Sequence, residues 1–259
     1  MHRIRFLYKY LYHFITAIHT RGYGAHSPYI FQFTRYVLQE RYSFYTFEKI
    51  EMLRKNLKKD KRQINITDFG TGKNRRSTIS LVSYKSLKSA KYAQLLFRIA
   101  HYTKAKEILE FGTSFGISTI YLASCSSDIH CISMEGCPET AKIALENFNK
   151  LRIKNIDLVI GSIDETLNNT LKRFNHIDLI FIDANHSFNA VIEYFEKCIP
   201  KMNKNSILVI DDIYWSNGME KAWDFIKKHP KVNSTIDLFQ FGIVFLNDDL
   251  VKKNYKMRY

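Results

Sequence analysis

Asp183, His186, Asp211 and Asp212 are the side chains of this sequence best suited to do chemistry together. Asp183 closes one apolar run and leads into Ala184-Asn185-His186, while Asp211 and Asp212 close another and lead into Ile213-Tyr214-Trp215. Ligands of open α/β sheets bind outside the carboxyl ends of strands, so these acids are expected to face one crevice. Three carboxylates there repel one another unless a cation offsets them. Hard oxygen donors suit Mg²⁺, which completes its shell with waters or ligand oxygens. An imidazole titrating near neutrality would serve as a base toward a hydroxyl acidified by such an ion. Plainer roles are available too: Asp212 as cap of the following turn, Asp211 as anchor of a neighbouring loop, His186 as cap of the helix starting at 187.

A second constellation could hold a nucleoside. In Glu110-Phe111-Gly112-Thr113-Ser114-Phe115-Gly116-Ile117-Ser118 an acid ends a strand-like run, Gly112 and Gly116 punctuate a turn around Thr113, and a helical pattern follows. Glycine lets the backbone approach a ligand closely, and a helix start offers unpaired N–H groups to a carboxylate. Glu135, with Gly136 beside it, stands 25 residues after Glu110 at the end of the next strand-like run. A carboxylate there can accept both hydroxyls of a ribose. The spacing is E-x-G-x-x-x-G rather than the G-x-G-x-x-G of dinucleotide sites. Its leading acid would repel a pyrophosphate and favour an amino group, such as that of a methionine moiety. Gly161-Ser162-Ile163-Asp164 would edge an adenine, with Asp164 accepting from the exocyclic amine; Asp164 would equally serve as an N-cap or first-turn acid. Asp68-Phe69-Gly70-Thr71-Gly72 imitates the acid-glycine loop, but Lys73-Asn74-Arg75-Arg76 follows and no acid stands at second-strand distance, so it reads as a turn.

Positioning these groups requires a regular βα alternation. Short β-rich runs at 107–111, 129–134, 156–160, 178–183 and 206–211 alternate with helical patterns near 116–126, 138–150, 163–173, 187–199 and 217–228. Parallel strands need crossover connections, so five such units predict a doubly wound sheet with helices on both faces. Runs at 234–238 and 241–246 are linked so tightly that only an antiparallel hairpin fits. The expected fold is α/β, with a seven-stranded sheet of five parallel strands plus a C-terminal antiparallel hairpin. Residues 1–90 are rich in Tyr and Phe, with a basic aromatic helix candidate at 4–19 and a turn-rich stretch Gly24-Ala25-His26-Ser27-Pro28. They read as an N-terminal helical cap or lid on a catalytic domain at 91–259, with His26 as the cap's candidate substrate contact.

The 259 residues, 46% hydrophobic and 14% aromatic, suffice for one sizeable core and a decoration. Cys125, Cys131, Cys137 and Cys198 lack paired spacing and read as free thiols of a reducing cytoplasm. Arg3, Arg5, Lys9 and His13 interrupt the apolar start, which argues against a signal-peptide core or a bilayer span. A net charge of +14 would suit nucleic acid, a phosphorylated substrate or a membrane surface. Lysines scattered along the whole chain describe a solvated surface instead. Peripheral membrane contact through residues 1–20, and a homodimer, are the other partners considered.

On these residues, the stretch from about 91 to 215 resembles the O-methyltransferase branch of the class I S-adenosylmethionine-dependent methyltransferases, including catechol-type and macrolide-sugar-type enzymes. The resemblance implies S-adenosylmethionine as cofactor, with Ser118 at the methionine carboxylate and Gln94, sixteen residues before Glu110, matching the catechol-type pattern. It implies that Asp183, Asp211 and Asp212 hold the metal, with Asp183 also at the cofactor. Catechol-type members have Asp-Asn at the last two positions and a lysine in place of His186, whereas sugar-type members have Asp-Asp and a histidine. The implied acceptor is a small hydroxylated molecule, a sugar or phenol rather than a catechol. Base-nitrogen methylation goes with an Asn/Asp-Pro-Pro-aromatic motif that Asp183-Ala184-Asn185-His186 does not match. An RNA- or ribosome-directed methyltransferase and a non-catalytic membrane-peripheral module are the alternatives.

Overall fold

The computed structural model describes residues 2–67 and 74–259, with side chains from residue 4 onward. The acid-glycine stretch at 68–72 lies outside the described residues. The chain divides into two compact units, Arg41–Asn175 and the pair of segments Met1–Glu40 and His176–Tyr259. The 1–90 and 91–259 division suggested by composition is not where these units are cut: residues 1–40 group with one and 41–90 with the other. The fold is α/β around a mostly parallel main sheet of eight strands.

The N-terminal segment contributes α1 (His2–Thr16) and α2 (Pro28–Phe33). Ser27 accepts from the Ile30 N–H and Pro28 occupies the first turn, so Gly24-Ala25-His26-Ser27-Pro28 is a helix-start turn. His26 is exposed on it.

In the unit Arg41–Asn175, α3 (Tyr45–Leu57) is followed by an antiparallel hairpin of β1 (Gln63–Ile66) and β2 (Arg75–Thr78), then α4 (Ile79–Ser86) and α5 (Ala90–Thr103). The helix α3 turns Phe47, Ile50, Leu53 and Leu57 inward at three- and four-residue spacing. There they join Phe97, Tyr121 and Phe148 in one core. The parallel strands β3 (Glu107–Phe111), β4 (His130–Glu135) and β5 (Ile156–Ile160) alternate with α6 (Ile117–Ala123), α7 (Pro138–Leu151) and α8 (Ile163–Lys172). Apolar residues on both faces of β3 and β4 are buried, as expected of a sheet covered on two sides.

The C-terminal part of the other unit runs through β6 (Ile177–Ile182), α9 (Phe188–Cys198), β7 (Met202–Asp211), α10 (Asn217–Lys228), β8 (Ser234–Asp237), β9 (Phe241–Phe245) and β10 (Lys253–Lys256). The expected hairpin is β8 and β9, paired antiparallel, and β9 also runs antiparallel to β7. The expected count of seven strands is short by one, because β10 adds in parallel beside β8. Its sequence, Lys-Asn-Tyr-Lys, carries one buried side chain, Tyr255, too little for an apolar pattern to register. Ile30, Phe33 and Val37 are fully enclosed, with Phe33 edge-on to Phe245 of β9. Ile30, Phe33 and Val37 thus contribute to the core of this unit.

Candidate functional site

The glycine loop lies wholly in the unit Arg41–Asn175. Glu110 stands opposite Ser133 in the β3–β4 register, and both are fully buried. The Ser133 hydroxyl donates to Glu110 Oε2 at 2.6 Å, and the Thr119 hydroxyl of α6 donates to the same oxygen. Thr113 Oγ1 lies 2.5 Å from Ser133 Oγ, so Thr113 belongs to this buried polar cluster. These hydroxyls offset the cost of burying a carboxylate. Past the strand, Gly112 takes φ +93°, and the N–H groups of Gly112 and Thr113 both donate to Met134 O. Gly116 takes φ +79° just before α6, and a Cβ there would sit 2.4 Å from Phe148 Cε1. Its glycine is therefore required by packing against α7, whatever the loop binds. Asn147 supports the loop by donating to Phe115 O at 2.9 Å.

Glu135 holds the other side of this loop. Its Oε2 accepts the Ser114 N–H at 2.8 Å and its Oε1 accepts the Cys137 N–H at 2.9 Å. Burial raises its pKa above the ordinary value, opposed by the N–H groups of Cys137, Ser114 and Gly136. With three N–H groups on a carboxylate of about four acceptor sites, one site remains for a further donor. Ser118 is a buried residue of the first turn of α6. Gln94 on α5 is hydrogen-bonded to the Tyr121 hydroxyl, which donates to Glu51 Oε1 at 2.8 Å. Ser162 caps α8 through its carbonyl, which accepts the Thr166 N–H at 3.0 Å, and Asp164 is an exposed acid in the first turn.

The acidic cluster lies in the other unit. The parallel β6–β7 register ends with Ile182 beside Ile210, so the next residues, Asp183 and Asp211, stand level at the carboxyl ends of the two strands. A turn through Asn185, at φ +42°, brings His186 Nε2 to 3.5 Å from Asp183 Oδ1. One ligand atom each from Asp183, His186 and Asp211 lies within 4.8 Å of the others. Asp211 is fully buried, while Asp183 and His186 are half-buried. Ser187, not His186, caps α9 by accepting the Ala190 N–H. Asp212, the third expected metal ligand, is outside this group. Its backbone leaves the strand at φ +52° and its carbonyl accepts the Trp215 N–H at 2.9 Å, which opens a turn. Two carboxylates and an imidazole form a donor set that a divalent cation can use, with oxygen donors of the kind Mg²⁺ prefers.

Two supporting residues were not singled out from sequence. Ser133 and Thr119 hold Glu110, and the available signal was Ser133 itself, a polar residue inside the apolar run of β4.

Comparison with known proteins bears on both units. Residues 109–213 match a family model described as a methyltransferase domain. A catechol O-methyltransferase of Mycobacterium tuberculosis is 29% identical over 133 residues, covering 51% of this chain and 59% of that protein. An O-methyltransferase of Aspergillus flavus is 27% identical over 139 residues, covering 50% and 54%. The chain thus spans little more than half the length of the curated relatives it matches. The crystal structure of an O-methyltransferase from Bacillus cereus in complex with S-adenosylhomocysteine superposes with a TM-score of 0.57 at 20% identity, covering 84% of this chain and 97% of that one. At that identity the likeness establishes the fold.

Proposed function

Taking residues 109–213 as a methyltransferase domain on the class I S-adenosylmethionine-dependent fold, we propose that this chain transfers a methyl group from S-adenosylmethionine to a hydroxyl of a small acceptor. The observation that carries the choice of oxygen is the grouping of Asp183, His186 and Asp211. Glu135 accepts a ribose hydroxyl at the acceptor site left by the Ser114, Cys137 and Gly136 N–H groups. Gly112 gives the loop its bend, and Ser118 receives the methionine carboxylate at the start of α6. Asp183 and Asp211 would hold a divalent ion such as Mg²⁺, which would supply a lowered pKa to an acceptor hydroxyl. His186, oriented by Asp183, takes the hydroxyl proton through its imidazole. Positioning supplies the remainder of the rate, since methyl transfer needs donor and acceptor in line.

The test is methyl transfer from labelled S-adenosylmethionine to a panel of phenols and hydroxylated sugars, with and without chelator. Transfer that stops in chelator, returns with Mg²⁺ and fails in Asp211→Asn is the expected result. Full turnover in excess chelator would sink the metal assignment. No S-adenosylmethionine binding by calorimetry would sink the function itself.

A further inference from the structure

The helix α1 turns its apolar face the wrong way for a helix of a soluble core. At about 100° per residue, Ile4, Leu7, Tyr8, Leu11, Tyr12 and Ile15 fall within roughly 140° of its perimeter. All are at least half exposed, Ile4 at 75% and Ile15 at 72%, and Ile18 just beyond the helix is equally bare. The opposite face carries the attachments. Arg5 and Lys9 pair with Glu220, Phe6 and Tyr10 meet the Phe239 ring edge-on, and His13 Nε2 lies 2.9 Å from Asp237 Oδ1. Docking this helix therefore uses its polar and aromatic face and leaves a contiguous apolar stripe uncovered, larger than the isolated apolar residues normal on a surface.

The rim of the stripe is cationic. Lys256 Nζ stands 5.3 Å from the centre of the Tyr12 ring, and the Arg258 guanidinium lies 4.0 Å over the Phe14 ring. No acidic residue occurs before Glu40, and Lys252, Lys253, Lys256 and Arg258 follow Asp249 with no acid among them. An apolar stripe with tyrosines, bounded by cations and free of carboxylates, matches the chemistry of a bilayer interface with anionic headgroups. A second copy of this chain would bring the same positive charge against itself, which disfavours self-pairing. Among the described residues no helix is long and apolar enough to cross a membrane, so the contact is with the surface.

We propose that α1 seats the chain on anionic membranes, its apolar stripe in the headgroup boundary and the cations of the C-terminal strand among the headgroups. The test is flotation of the full chain with mixed phosphatidylcholine–phosphatidylglycerol vesicles and with pure phosphatidylcholine vesicles. Co-flotation is expected with the anionic vesicles alone, weakening as salt screens the cations. Leu11→Glu combined with Ile15→Glu should weaken it by roughly tenfold or more, with unchanged thermal midpoint because both positions are exposed. Leu11→Ser with Ile15→Ser is the companion if the charged pair fails to fold. The proposal is overturned if the parent stays behind anionic vesicles, floats equally with neutral ones, or is matched in flotation by the folded variants. Sedimentation of the parent as a dimer that the same substitutions make monomeric would give the face to a second copy and also overturn it.

Discussion

Glu135 can do two things with one carboxylate: it fixes the glycine loop through the Ser114 and Cys137 N–H groups and, in the proposed function, accepts a ribose hydroxyl at the site they and the Gly136 N–H leave. Glu135→Gln keeps the shape but loses the charge and one acceptor. S-adenosylmethionine affinity measured by calorimetry should fall by about 1–3 kcal/mol, the scale of a hydrogen bond to a charged group. Unchanged affinity would remove Glu135 from the ribose. Gly116 makes the contrasting case, because its constraint is internal. Gly116→Ala puts a methyl 2.4 Å from a buried ring at positive φ, so a loss of roughly 2–4 kcal/mol in unfolding free energy is expected by denaturant titration. A variant as stable as the parent would show that Phe148 can yield. The sequence made the Glu110, Gly116 and Glu135 constellation legible because acid and glycine spacing follows the βα turn. The partners of Glu110 were hidden because hydroxyls find each other through strand register, which no local spacing displays. The grouping of His186 with Asp183 and Asp211 depends on the turn through Asn185, at φ +42°, which no spacing of acids displays.

The five parallel strands were readable because each is a continuous apolar run followed by a helix with its own period. The strands β1, β2 and β10 were not, being four residues long and largely polar or charged. The attachment of α1 was equally hidden, since its buried contact joins His13 to Asp237, 224 positions away. Burial works against charge on that carboxyl, but hydrogen bonds from His13 and from the Tyr214 hydroxyl, at 2.6 Å, and the Phe239 N–H outweigh it, so its pKa lies below the ordinary 3.8. A carboxyl with a lowered folded pKa adds stability above its unfolded pKa and loses it as pH falls through the folded value. Asp237→Asn should therefore cost on the order of 3 kcal/mol at neutral pH. The gap between parent and variant thermal midpoints should stay constant above about pH 5 and close below the ordinary carboxyl value. A gap independent of pH down to strong acid would mean that the charge of Asp237 is not what holds the helix.

At the level of the whole chain, the four cysteines are all free, and Cys131, Cys137 and Cys198 are buried. Burial pushes the Cys125, Cys131 and Cys198 thiols above their ordinary range, which leaves almost no thiolate at neutral pH. A thiol reagent should find less than one fast-reacting group in the native protein and four after unfolding without reductant; fewer than four would reveal a disulfide. Fold class was legible at this scale, but the grouping of residues was not, because composition changes near residue 90 whereas the contacts divide at 40 and 175. The two units differ in continuity: residues 41–175 are one uninterrupted stretch, whereas the other joins residues 1–40 to 176–259. Residues 1–40 are made well before Asp237, Phe245 and Lys256, more than 200 positions later, which give α1 and α2 a surface to settle on. During synthesis the apolar stripe of α1 thus stays available to a chaperone or a bilayer until the rest of its unit has been made.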